Sequence, residues 1–124
     1  MKVRCVRLLN AGGQEVEYSP WLTLGRVYHV MSIFIDENER RWYGIINCHP
    51  RDEWPQMGNH QAECFEVVSE IIPSNWSEWK DGKISGISPA AWQASGFYEA
   101  FYDHDPVAYP IYERERDIIL REDA

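Results

Sequence analysis

Two cysteine–histidine pairs lie at the ends of one stretch of this chain. Cys48 and His49 are adjacent, and Cys64 follows His60 after three intervening residues. Thiolate and imidazole groups are the usual ligands of tetrahedral zinc, so these four residues are a candidate metal site. Adjacent residues of a strand point to opposite faces, however, whereas the ligands within one zinc-binding arm are usually about two to four residues apart. We therefore expect buried thiols and loop histidines, with no metal or other cofactor.

The same residues and several carboxylates are candidates for catalysis. A cysteine nucleophile requires an electropositive, partly exposed site, and this chain is acidic. Asp103 and Asp105 flank His104, but Asp105 precedes a proline and suits a helix cap. We expect no catalytic residues. The alternative is a small metal-dependent hydrolase that uses the two cysteine–histidine pairs.

The charge balance limits the kinds of partner. The chain has twelve lysine and arginine residues and twenty aspartate and glutamate residues, which gives a net charge of −8. Because phosphate contacts need a basic surface, we expect binding neither to nucleic acid nor to an anionic membrane. An acidic surface instead favours rapid association with a basic protein.

Length and apolar content predict one domain, residues 1–124, in the cytoplasm. A chain of 124 residues that is 44% hydrophobic can bury a core of its own. No apolar run approaches the roughly 18 residues that a membrane helix needs, and the start has no apolar signal-peptide core. The three cysteines are an odd number, which argues against a disulfide framework and fits a reducing compartment.

The stretch from Leu22 to Asp36 predicts the central strand. Gly25 suits a tight turn at its start, and the following residues alternate between two sets that are both mostly apolar, which is typical of a strand covered on both faces. The first set is Val27, His29, Met31, Ile33 and Ile35, and the second is Tyr28, Val30, Ser32 and Phe34.

Other apolar stretches, bounded by turn-forming residues, predict further strands. We expect them at Lys2–Leu9, Glu15–Tyr18, Arg41–Asn47, Glu63–Val68 and Glu70–Ile72, with a loop over residues 48–62. Within the central strand, His29 is expected to be a hydrogen-bonded histidine near the strand end, not a catalytic base.

Residues 73–124 are expected to be mainly helical and rich in aromatic and acidic side chains, with a turn at residues 80–83 and an extended stretch at Ile84–Ile87. Ser88 and Asp105 each precede a proline, which is typical of a helix start, and Pro110 delays the second helix. Trp76 and Trp79 are expected in loops. The last helix should bury an apolar stripe and expose residues 113–117. The stripe comprises Ile111, Tyr112, Ile118 and Ile119.

The predicted fold class is therefore α+β. We expect a small antiparallel β-barrel or strongly bent sheet over residues 2–72, with C-terminal helices packed on it. The region of about residues 20–72 resembles a bacterial SH3-like β-barrel, through the segments Leu22–Val30, Trp42–Asn47 and Cys64–Val68 and their order. This resemblance implies a fold and no particular activity, since such barrels host many functions.

In size, charge and lack of catalytic residues, the chain is also similar, more loosely, to small acidic immunity proteins that guard bacteria against delivered toxins. We accordingly expect an immunity protein that blocks the basic active site of a cognate toxin, a nuclease being one option. A further alternative is an SH3-like adaptor that binds a peptide or a regulatory protein. Acidic and aromatic residues are the expected partner contacts. They are Asp52, Glu53, Trp54, Tyr98, Tyr102, Asp103 and Asp105.

Overall fold

A computed structural model describes residues 1–47 and 54–124. In these two ranges the chain forms nine strands and two α-helices, together with short 3₁₀ turns at Ala62–Cys64 and Ala90–Gln93. The strands are β1 (Lys2–Cys5), β2 (Leu8–Leu9), β3 (Glu15–Val16), β4 (Val27–Ile35), β5 (Arg41–Asn47), β6 (Gln56–Gln61), β7 (Phe65–Ser69), β8 (Trp76–Asp81) and β9 (Ile84–Pro89). The helices are α1 (Phe97–Tyr102) and α2 (Ala108–Glu122). The predicted α+β class is confirmed.

The longest strand, β4, has three antiparallel neighbours. β5 pairs with it from Val30 to Ile35. On the opposite edge, β1 pairs near Tyr28 and β9 pairs at Ile33–Ile35. The sheet therefore forks at β4, with β7 beyond β1 and β8 beyond β9. Among the described residues β6 and β7 do not pair, and no closed barrel is found there.

A bulge in β4 separates two hydrophobic cores. The pairing with β5 shifts register between Val30 and Ser32, and an extra residue in one strand redirects the side chains that follow it. Val30 and Met31 are both buried, but Val30 belongs to a first core with Tyr28, whereas Met31 belongs to a second core. Ile33 packs against the first core. Cover on both faces is confirmed, but the predicted alternation is wrong beyond Met31.

The first predicted strand is interrupted. β1 ends at Cys5, and the amides of Val6 and Arg7 donate to the carbonyl oxygen of Cys64 at 2.8 and 3.3 Å. After this break, β2 pairs with β3 as a separate two-stranded sheet. The predicted strand at residues 70–72 is not formed, and that segment has no regular structure.

Two segments form strands where the sequence predicted a loop, or predicted an extended conformation for residues 84–87 alone. Within the predicted 48–62 loop, β6 pairs with β5 over its whole length. Residues 76–89 form the β8–β9 hairpin, so Trp76 and Trp79 lie in a strand and not in loops. Pairing with an existing sheet supplies hydrogen bonds that override weak local strand preference.

The helical part is shorter than predicted. After Ser88, where a helix was predicted to begin, the chain forms only a single 3₁₀ turn. Gly96, with φ at 84°, separates this turn from α1. Asp105 caps the approach to α2 by accepting the amide of Val107 at 3.0 Å. Pro110 falls in the first turn of α2, where an amide has no helical partner to lose.

The predicted apolar stripe of α2 is confirmed, since Tyr112 and Ile119 are fully buried in the second core. The predicted exposed side is wrong at Glu115, which is buried. Among the described helices, none is long and apolar enough to cross a membrane.

Candidate functional site

The two cysteine–histidine pairs are only partly described. Cys48 and His49 lie outside the described residues. Cys64 lies in the 3₁₀ turn before β7, not within a strand, and is buried in the first core, as is Cys5. Burial raises the pKa of both thiols, so both stay protonated at neutral pH. The prediction of buried thiols is confirmed for these two cysteines.

In the described ranges no cluster of three or more histidine, cysteine, aspartate or glutamate side chains has an arrangement that would hold a metal ion. His29 lies near the start of β4, where its Nε2 donates to the main-chain oxygen of Asp123 at 2.6 Å. This contact fits the predicted structural role of His29.

Five of the seven predicted partner contacts are described, and Asp52 and Glu53 lie outside the described residues. The structure brings Trp54 against the corner between α1 and α2. Its ring stacks on His104 with centroids 5.1 Å apart and contacts Phe101 at 5.7 Å and Tyr109 at 5.5 Å. Trp54 is therefore half-buried in the wall of the corner, and it is not a free loop anchor.

The other predicted contacts lie on the same corner. Tyr98 and Tyr102, four residues apart on α1, stack with centroids 6.3 Å apart, and both are exposed. Asp103 and Asp105 are exposed on either side of His104, whose φ is 58°. The structure thus groups these aromatic and acidic residues at one end of the molecule.

A groove with a volume of about 560 Å³ runs along β6. All six residues of β6 line it, and we call it the edge groove. Leu8 and Leu22 of the first core contribute to its walls, as do Trp54 and Phe101 at the second core. Its volume and mostly apolar lining are typical of ligand-binding clefts.

Among the described residues, no strand pairs with the outer side of β6, which runs along the edge groove. β6 pairs with β5 and with no other strand in the described part of the chain. The hydroxyl of Tyr102 donates to the main-chain oxygen of Met57 at 3.0 Å, so that oxygen points away from β5. Since alternate residues of a paired strand direct their main-chain groups toward and away from the partner, the N–H and C=O of Asn59 also point into the groove.

Two side-chain nitrogens of the groove are buried without a hydrogen-bond partner among the described residues. They are Nε1 of Trp54 and Nε2 of His60. Burial lowers the pKa of His60, which favours the neutral ring with one donor and one acceptor nitrogen. A buried polar atom without a partner costs about 1–3 kcal/mol, which a ligand group could relieve.

The opposite edge of the sheet, β7, carries a second exposed surface. Val67 and Val68 are 43% and 40% exposed, and Ile71 and Ile72 beyond the strand are 52% and 58% exposed. Glu66 and Glu70 interrupt this apolar surface, and none of the grooves found in the described residues is lined by it.

Sequence reasoning missed β6 as a site because it treated residues 48–62 as a loop. One signal was available: Gln56–Gln61 contains neither a charged residue nor a proline. Edge strands are usually protected by such residues. Comparison with family models, with curated proteins and with solved structures finds no match for this chain.

Proposed function

We propose that this chain is a binding protein that captures an extended segment of a basic partner protein along the outer edge of β6. The observation that carries this proposal is the edge groove, in which unpaired main-chain groups of β6 lie between apolar walls. An added strand gains its affinity from main-chain hydrogen bonds and its specificity from pockets for alternate side chains.

The composition of β6 supports this mode of binding. Natural edge strands avoid unwanted pairing through charged residues, prolines or a covering element. β6 has neither charge nor proline, and among the described residues only the Tyr102 hydroxyl is hydrogen-bonded to its outer main-chain groups. Apart from the Met57 carbonyl, which accepts from Tyr102, the described edge is thus open to an incoming strand.

The charge of the chain supports a basic partner. The net charge is −8, and Asp103 and Asp105 are exposed beside the Trp54–His104 stack at one end of the groove. These carboxylates would steer a basic segment toward the groove. We therefore retain the proposal of a cytoplasmic immunity protein that occludes the basic active site of a toxin.

An SH3-like adaptor that binds a peptide would use the same groove and differs only in its partner. The features of the fold in favour of an SH3-like sheet are its antiparallel order, the turn at Gly25 with φ at 82° and the long β4–β5 hairpin.

The binding mode can be tested with a displayed library of random linear peptides about nine residues long. Selection on the wild-type protein should enrich peptides with a shared alternating pattern. The same selection on Asn59→Pro, which lacks the amide hydrogen of residue 59 on the outer side of β6, should not enrich such peptides. Equal enrichment on both proteins would contradict docking at this edge.

The immunity role needs a separate test with the product of the adjacent gene. If that protein arrests growth, coexpression of the wild-type chain should restore growth, and coexpression of Asn59→Pro should restore it less. A growth-arresting neighbour that the wild-type chain neither binds nor neutralises would contradict the immunity role but not peptide binding.

A further inference from the structure

A second cavity of about 570 Å³ adjoins the edge groove and shares Met57, Asn59 and Tyr102 with it. We call it the aromatic cleft. It lies on the face of the sheet that α1 covers, and its lining comes from β4, β6, β8, the segment 88–96 and α1.

Two stacked ring pairs line the aromatic cleft. Phe34 and Trp79 have centroids 6.2 Å apart at 20°, and Tyr98 and Tyr102 have centroids 6.3 Å apart at 19°. Gly86 makes the first pair possible, because a Cβ at Gly86 would lie 2.8 Å from the Trp79 ring and 2.5 Å from the carbonyl oxygen of Ile33. The cleft is therefore lined by aromatic rings from three separate elements, β4, β8 and α1.

One carboxylate accompanies these rings. Glu99 is the only charged residue among the described residues that line the cleft. It is exposed and takes part in none of the ion pairs found in the described ranges. Tyr98 is 36% exposed, and the part of it that packs in the cleft is desolvated. This desolvation, together with the neighbouring Tyr102, raises the pKa of Tyr98 to about 12, although a hydrogen bond with Ser88 acts to lower it.

We propose that the aromatic cleft binds the guanidinium group of an arginine side chain carried by the segment that docks along β6. This inference rests on the proposed function. Aromatic faces attract cations, and a carboxylate beside them adds a counter-charge. An anionic group would be repelled by both Glu99 and the net charge of the chain.

Guanidinium fits the cleft better than ammonium. It is planar, it stacks on aromatic rings, and it loses less hydration on burial than the ammonium of lysine. The source is a docked segment because a strand added to β6 directs alternate side chains to each face of the sheet. Met57 and Asn59, which line both cavities, place this face of the added strand beside the cleft.

The cleft can be tested with Nα-acetyl-arginine methylamide, a probe that needs no added strand. We expect saturable shifts in the NMR signals of the Trp79 indole and the Tyr98 ring. The neutral analogue Nα-acetyl-citrulline methylamide should cause none, and the lysine analogue should bind more weakly. Equal shifts from arginine and citrulline probes would overturn the inference.

Glu99→Gln removes only a charge from an exposed side chain and should weaken binding of the arginine probe about two- to fivefold. Glu70→Gln makes the same change to net charge at the opposite sheet edge and should leave the affinity unchanged. Equal weakening in both variants would show a general charge effect and overturn the role of the cleft.

The inference and the proposed function can fail separately. Asn59→Pro should abolish peptide enrichment and should bind the arginine probe as tightly as Asn59→Ala does, since both variants lack the Asn59 side chain that lines the cleft and only proline also lacks the amide hydrogen. Selected peptides should carry arginine at a fixed position, and Glu99→Gln should lower their affinity by a similar factor. If peptides bind β6 without a preferred arginine and the probe does not bind, the cleft assignment is wrong and the edge-binding function stands.

Discussion

The outward main-chain groups of β6 allow a prediction in which one hydrogen-bond donor of the strand edge is removed. Asn59→Pro deletes the amide hydrogen that points into the edge groove, and the ladder to β5 loses no bond because that amide faces away from β5. Proline is tolerated on strands at just such outward positions. Asn59→Ala is the matched control, since it removes the side chain and keeps the amide.

The magnitude follows from the contact that is lost. In the complex, the carbonyl of the added strand opposite Asn59 would be left buried without its donor, at a cost of about 1–3 kcal/mol. This corresponds to about a five- to 150-fold increase in Kd. The assay is isothermal titration of peptides selected on the wild-type protein, with urea unfolding to verify that both variants are folded.

Two outcomes would refute this reasoning. Asn59→Pro could bind the peptides as tightly as the wild-type protein does, or Asn59→Ala could weaken peptide binding as much as Asn59→Pro does.

A second variant tests the other sheet edge. Val68→Lys places a charge on β7 and should leave peptide binding unchanged. Loss of binding in that variant alone would place docking at β7.

Three further predictions concern stability. Burial lowers the pKa of His60, so as pH falls the unfolded chain takes up a proton at this histidine, near the ordinary pKa of 6.5, before the folded chain does. His60 therefore lowers the unfolding free energy as pH falls from 7 to 5. His60→Gln should show a smaller decrease in unfolding free energy over that range, and an unchanged pH profile would contradict the assignment. Trp92→Leu should lower the free energy of unfolding, measured with urea, by about 3 kcal/mol, because this fully buried ring stacks on Phe97 and Tyr112. Trp21 is half-exposed, so Trp21→Leu should change that free energy by less than about 1 kcal/mol. Gly86→Ala should cost about 1–3 kcal/mol by forcing a methyl group against main chain and the Trp79 ring, while Gly12→Ala, with 3.4 Å to its nearest neighbour, should cost less.

Strong local patterns made part of the fold predictable from the sequence. Arg41–Asn47 is β5 with the predicted bounds, because a run of aromatic and β-branched residues follows a polar turn. The central strand and the stripe of the last helix were likewise predicted from local patterns. Each of these elements carries its pattern within its own residues.

The rest depends on contacts between distant segments. Met57 is the one apolar side chain among the six residues of β6, so the segment has no alternating apolar pattern and becomes a strand through its pairing with β5. The bulge after Val30 shifts the side chains by one face, and a period of two residues contains no sign of it. Trp79 lies in a strand because β8 pairs with β9, where Gly86 opposite Trp79 leaves space for its ring.

The candidate site was only partly predictable. The spacing of Tyr98 and Tyr102 is enough to place them on one face of a helix. The edge groove, in contrast, joins residues from the N-terminal segment, β6 and the α1–α2 corner, and no local motif connects them. Such a surface is visible only once the topology is known.

Amide hydrogen exchange, measured by NMR on the free protein and on its complex with a selected peptide, tests edge binding most directly. In the free protein, the amides of Met57 and Asn59 should exchange rapidly, while those of Gly58 and His60, which face β5, should be protected. On binding, Met57 and Asn59 should become protected and β7 should not change. Protection that appears along β7, or nowhere along β6, would contradict the proposed mode of recognition.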